Sequence, residues 1–134
     1  MGSVAVDSGV IIALFDSTDV HHAWSVEQIQ EIVTARNVMV ISALTVAEVL
    51  VRPAQAGAAD AVRADLMSLR PRIVDVDADI AARAAELRAS RSGLRLPDAI
   101  IVATALFAQC DYLVTTDQRM AVATDGLPVR VSRA

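Results

Sequence analysis

Four acids in this sequence stand where a surface carboxylate is not expected: Asp7, Glu48, Asp98 and Asp117. Asp7 closes the apolar run Val4-Ala5-Val6 and is followed by Ser8-Gly9. Glu48 interrupts Leu44 to Val51, a stretch otherwise almost wholly apolar, with Thr45 one helical turn earlier on the same face. A carboxylate there is costly to bury unless it is paired or binds a cation. Asp98 follows Leu96-Pro97 and opens the apolar run Ala99 to Ala108, while Asp117 follows Leu113-Val114-Thr115-Thr116. Each acid also has an ordinary explanation. Aspartate caps helices well and is favoured by the helix dipole at a first turn, and Glu48 can belong to a polar stripe that reaches solvent. Capping explains the acids one at a time; it does not explain the set.

The elements that would position them alternate between short β-branched runs and helical patterns, the signature of a parallel α/β sheet. Strands are expected at Ser3 to Val6, Val38 to Ile41, Ile73-Val74, Tyr112 to Thr115 and, at an edge, Val129 to Val131. Val10, Ile11 and Leu14 mark a first helix, and Trp24, Ile29, Ile32 and Val33 the stripe of a second. A third helix runs from Thr45 to Gln55 and breaks near Gly57, and a fourth covers Asp60 to Leu69 before Pro71. Asp77 caps a fifth that Gly93 ends, and Pro97 opens a sixth. Parallel strands present their carboxyl ends at one edge, so Asp7, Asp98 and Asp117 can meet there, with Glu48 reaching in from its helix. Crowded carboxylates repel, and a bound Mg²⁺ or Mn²⁺ relieves that. Oxygen-only donors suit these hard ions rather than zinc.

The remaining residues narrow the chemistry. Cys110 is the one cysteine, which leaves no disulfide or thiolate cluster, and its apolar surroundings mark it as a core residue. His21 and His22 are expected to begin a surface helix. Acids exceed bases by 16 to 12, so whole-molecule attraction of nucleic acid is weak. Every one of the 12 cations is arginine, which excludes any mechanism that needs a lysine, a receiver-type phosphorylation domain included. A haloacid-dehalogenase-like phosphatase needs Asp-x-Asp after its first strand, and Asp7 is followed by Ser8-Gly9. The chain is expected to form a single domain over residues 1–134, soluble and cytoplasmic. No targeting signal is visible, and its longest apolar run falls well short of the roughly 20 residues a bilayer span needs.

Taken together, Val6-Asp7-Ser8-Gly9, Thr45-Val46-Ala47-Glu48, Leu96-Pro97-Asp98-Ala99 and Val114-Thr115-Thr116-Asp117 resemble the PIN-domain family. Within it they are most similar to the VapC-type toxin ribonucleases of bacterial toxin–antitoxin pairs. The resemblance covers essentially the whole chain. It implies a PIN-like three-layer α/β/α sandwich around a parallel sheet of about five strands. It implies a Mg²⁺- or Mn²⁺-dependent endoribonuclease, a homodimer, an RNA substrate and a VapB-like antitoxin whose tail covers the acidic pocket. Asp7, Glu48, Asp98 and Asp117 match the family's acidic quartet, with Thr45, Thr115 and Thr116 as supporting polar groups. Two positions depart from many relatives: Thr116 replaces an Asn, and Arg119 stands where some carry a further acid. Arg88, Arg91 and Arg95, spaced along one helix and its end toward Asp98, are the candidate contacts to the RNA backbone, and a solvated helix face with its end explains the same spacing. The alternative is a PIN-like scaffold without catalysis, or a housekeeping metal-dependent nuclease or phosphatase.

Overall fold

The computed structural model describes residues 2–134. Strand β1 (Ser3–Val6) is followed by α1 (Ser8–Phe15) and α2 (His22–Thr34), then β2 (Val38–Ser42), α3 (Ala43–Gln55) and α4 (Ala59–Ser68). The second half runs β3 (Arg72–Val74), α5 (Ala78–Ser90), α6 (Leu96–Phe107), β4 (Tyr112–Thr115), α7 (Gln118–Ala123) and β5 (Arg130–Arg133). All four strand pairings are parallel, and the sheet order is β3-β2-β1-β4-β5.

The two-residue period of the strands divides the core into two layers. Val4 and Val6, Met39 and Ile41, and Val114 pack on one face with Val10 and Ile11 of α1, Ile29 and Ile32 of α2, Val49 of α3 and Leu66 of α4. Ala5, Val40 and Leu113 point the other way, onto Ile80, Ala84 and Leu87 of α5, Val102 of α6 and Met120 of α7. The helices joining β1 to β2 and β2 to β3 therefore cover one face. Those leading into β4 and β5 cover the other. This is the expected three-layer α/β/α sandwich. Strands are added outward on one side of β1 up to β3 and then, from β4, on its other side, and in open parallel sheets such a switch point leaves a crevice at the strands' carboxyl ends.

Several expectations are refined. Helix α7 had not been foreseen: six residues are too few to show a 3.6-residue period. Val33, assigned to an apolar stripe, is 61% exposed. Helix α5 ends at Ser90 with Arg91 as its C-cap, so Gly93, at φ 82°, turns the loop beyond the helix rather than closing it. His22 begins α2, and its Nδ1 lies 2.8 Å from the Ala13 carbonyl oxygen, joining α2 to α1. Cys110 is buried, which pushes its thiol pKa up and keeps it in the unreactive form. Among the described residues no helix is long and apolar enough to cross a membrane.

Three helices end without glycine on a left-handed residue: Arg36 after α2, Arg70 after α4 and Gln109 after α6, at φ 57°, 55° and 53°. After α6 the Gln109 amide donates to the Leu106 carbonyl and the Cys110 amide to that of Ala105, which satisfies otherwise orphaned groups. The left-handed conformation still costs a side-chain-bearing residue about 1–2 kcal/mol. Part of that is offset by the flexibility a glycine adds to the unfolded chain. Gln109→Gly is therefore expected to stabilise the fold by about 0.5–1 kcal/mol in urea denaturation.

Candidate active site

Asp7 sits at the switch point as the N-cap of α1. Its Oδ1 accepts the Ser8 amide at 2.8 Å, and its Oδ2 accepts the Thr115 hydroxyl, also at 2.8 Å. Capping and an unusual environment thus coincide in one residue, which is 8% exposed. Burial pushes its pKa from the ordinary 3.8 up to about 6; the two hydrogen bonds oppose the rise, and the charges of Asp98 and Glu48 add to it. Asp98 and Glu48 are therefore within electrostatic reach of Asp7.

Each neighbour arrives from its own element. Asp98 lies in the first turn of α6, 15% exposed at its side chain. Its Oδ2 accepts the Arg95 amide at 3.3 Å and faces the Arg95 Nε at 3.4 Å. Glu48 is half-buried on α3 and lines a groove of about 660 Å³ together with Ile12, Phe15, Val49, Val51 and Val62. Thr45, one turn earlier, is fully buried, and its Oγ1 has no hydrogen-bond partner. Such groups are rare in native proteins; Ser25 Oγ on α2 is another.

Asp117 joins through its backbone. Its amide donates at 3.0 Å to the Thr115 hydroxyl that in turn donates to Asp7, so one side chain ties two of the acids together. The Asp117 carboxylate caps α7, accepting the Arg119 amide at 2.9 Å, and its Oδ1 lies 3.5 Å from the Arg119 Nε. Thr116 stands over the start of α1, where a Cβ on Gly9 would come within 2.5 Å of its hydroxyl oxygen. In these positions no three His, Cys, Asp or Glu side chains among the described residues are gathered closely enough to hold a metal ion. The donor set is nonetheless of the kind a hard divalent cation takes: oxygen only, partly desolvated and mutually repelling.

The arginines behave less uniformly than their spacing suggested. Arg91 Nη1 donates to the carbonyls of Ala123 and Asp125 at 3.0 and 2.7 Å, fastening the end of α5 to the end of α7. Arg88 lies exposed in the last turn of α5. The pairing of Arg119 with Asp117 was missed, although a cation two residues after a cap acid was its visible signal.

The raised pKa of Asp7 carries a sign. Below about pH 4 the carboxyl is neutral both folded and unfolded, and the site costs nothing; above about pH 6 it is ionised in both states and the burial penalty is complete. Metal-free protein should therefore lose stability at this site as pH rises from 4 to 7, by up to about 3 kcal/mol. Asp7→Asn, which keeps the cap, should be more stable than the parent at pH 7.5 in a chelator. That advantage should vanish near pH 4 in paired denaturation curves. Thr115→Val, which removes an opposing hydrogen bond, should move the parent's transition to higher pH.

The chain has counterparts among known families and solved structures. Residues 4–125 match the PIN domain family. Among solved structures, the chain is similar to a toxin–antitoxin complex from Klebsiella pneumoniae, at 30% identity and a TM-score of 0.71, covering 97% of each chain. It has the fold of the Mycobacterium tuberculosis toxin VapC20, described as cleaving the sarcin–ricin loop, with 21% identity, a TM-score of 0.73 and coverage of 96% of this chain and 99% of that one. It also has the fold of Rickettsia felis VapBC2, solved with a DNA fragment from its promoter, with 14% identity, a TM-score of 0.70 and 98% of each chain covered. No curated protein sequence gives a significant match. The matched family region begins in β1 and runs past α7, taking in all four acids and the switch point between β1 and β4, and the chain belongs to the PIN domain family.

Proposed function

We propose that this chain is a divalent-cation-dependent endoribonuclease acting as the toxin of a toxin–antitoxin pair, with Asp7, Glu48, Asp98 and Asp117 as its catalytic acids. The observation that carries the reading is Asp7: a buried carboxylate at the sheet's switch point, its pKa raised to about 6 with the charges of Asp98 and Glu48 contributing. Mg²⁺ or Mn²⁺ would be held by Asp7, Asp98 and Asp117, with Glu48 directly or through water; when bound it supplies a more acidic water and a polarised scissile phosphate. The protein's part is positioning. Thr115 holds Asp7 and the Asp117 backbone in fixed relation, and the start of α6 brings in Asp98. The unpartnered Thr45 hydroxyl, one turn from Glu48, suits an ordered water at the pocket. In-line attack by water leaves a 5′-phosphate and a 3′-hydroxyl.

The partners follow the same reading. The groove beside Glu48 exposes Ile12, Phe15 and Val51, an apolar track that suits a VapB-like antitoxin tail lying next to the acids. The similar structures from Klebsiella pneumoniae and Rickettsia felis are a toxin–antitoxin complex and VapBC2. We read the chain as one cytoplasmic domain over residues 1–134, working as a homodimer. One observation favours a scaffold without catalysis: Asp98 and Asp117 each lie beside an arginine of this chain. A scaffold of that kind shows no thermal shift with Mn²⁺, whereas the proposed nuclease is stabilised by it.

Asp7→Ala and Asp98→Ala should each lower RNA cleavage by more than about 100-fold, since a direct ligand matters at least as much as the outer partners whose loss costs roughly 10–100-fold. Circular dichroism should show both variants folded. Full activity in either variant would sink the assignment. Expression of the parent alone should arrest growth of a bacterial host, and the neighbouring small gene should relieve it. Growth unaffected by the active protein would remove the toxin role while leaving the nuclease.

A further inference from the structure

Two arginines stand beside two of the four acids. Arg95, 67% exposed at its side chain, has its Nε 3.4 Å from Asp98 Oδ2; Arg119, 64% exposed, has its Nε 3.5 Å from Asp117 Oδ1. Both acids are largely covered, at 15% and 23% exposure, while the guanidinium groups remain open to solvent. With the guanidinium side of each pair screened by solvent, the pairing is weak and each guanidinium exchanges readily between its acid and another anion. Of the other cations, Arg91 is fastened to two carbonyls at the end of α7, and Arg52, one turn from Glu48, lines the groove beside that acid rather than pairing with Asp98 or Asp117.

The chain's charge gives these two positions a task. With a net charge of −4, and with Asp98 and Glu48 adding their charges to buried Asp7, a polyanion approaching these acids is repelled unless cations stand beside them. We propose that Arg95 and Arg119 are the phosphate-binding arms of the site, taking the RNA backbone on entry and returning to Asp98 and Asp117 when it leaves. A planar guanidinium presents parallel N–H donors that match phosphate oxygens as well as carboxylate, which makes the exchange chemically even-handed. Arg119 thus becomes a substrate-positioning residue, and Arg91 is replaced in the role its spacing suggested. The inference rests on the nuclease reading above.

The test is binding rather than turnover. In an Asp7→Asn background that blocks cleavage, the affinity of a short fluorescent single-stranded RNA is measured in Mg²⁺ by anisotropy across a KCl series. Arg95→Gln and Arg119→Gln should each weaken binding about 3- to 10-fold near 0.1 M salt and each lower the slope of log K against log salt by about 0.7. Arg119→Lys should retain the slope while losing part of the affinity, because it keeps the charge and lacks the fork. Arg83→Gln should change neither, although Arg83 pairs with Glu86 in the same exposed manner. Unchanged affinity and slope in both Arg95→Gln and Arg119→Gln, with the background protein binding RNA, overturns this assignment alone. No RNA binding by the background protein overturns the nuclease reading and this inference together.

Discussion

The carboxylate of Asp7 is held by donors from opposite ends of the chain, the amide of Ser8 beside it and the hydroxyl of Thr115, 108 residues away. Hydrogen bonds to a charged group contribute about 1.5–3 kcal/mol each, whereas burying an ion costs several. Here the two donors reduce the penalty without cancelling it, which is why the pKa of Asp7 still stands near 6. The rest of the site depends on this imbalance. A buried acid that is short of compensation and near two further acids is a place where a cation is welcome. The bond from Thr115 can form only because β1 and β4 lie side by side, with Val6 opposite Val114 and the Asp7 amide donating to the Val114 carbonyl.

Much of this was legible in the sequence, for identifiable reasons. The strands announce themselves because Val4-Ala5-Val6, Val38 to Ile41 and Leu113-Val114 are β-branched runs bounded by polar residues. The helices show through their stripes and caps, Asp77 among them, whose Oδ1 accepts the Ile80 amide. The neighbour relations of the strands are not written locally. Nothing within Tyr112 to Thr115 says that β4 pairs with β1, so the switch point and the link from Thr115 to Asp7 appear only in the fold. Helix α7 is hidden for a different reason. Asp117 reads equally well as an acid closing a strand and as a cap, and it is both. Arg91 illustrates the limit of spacing arguments: its position along α5 suggested an outward role, while its partners, Ala123 and Asp125, come from more than thirty residues further on.

Charge distribution explains how an acidic protein can act on a polyanion. The surplus of acids is concentrated in part at the pocket, where a cation would offset it. Arg95 and Arg119 sit within ion-pair distance of that pocket without being buried in it. The Arg95 pair also keeps Asp98 from repelling Asp7 at full strength. Local neutrality near the reacting centre is the relevant quantity here, since screening confines charge effects at physiological salt to about 8 Å. The net charge of −4 describes the whole surface and not this entrance.

The central claim is that Asp7, Glu48, Asp98 and Asp117 would hold a divalent cation and that water, rather than the neighbouring 2′-hydroxyl, attacks the phosphodiester. The alternative for an RNA-cleaving protein is attack by the neighbouring 2′-hydroxyl, which needs no metal and leaves a different end. Purified protein incubated with a defined RNA in Mg²⁺, followed by analysis of the new termini, separates the two. The account predicts 5′-phosphate and 3′-hydroxyl ends that disappear in a chelator. A 2′,3′-cyclic phosphate, or cleavage that persists without divalent metal, would contradict it.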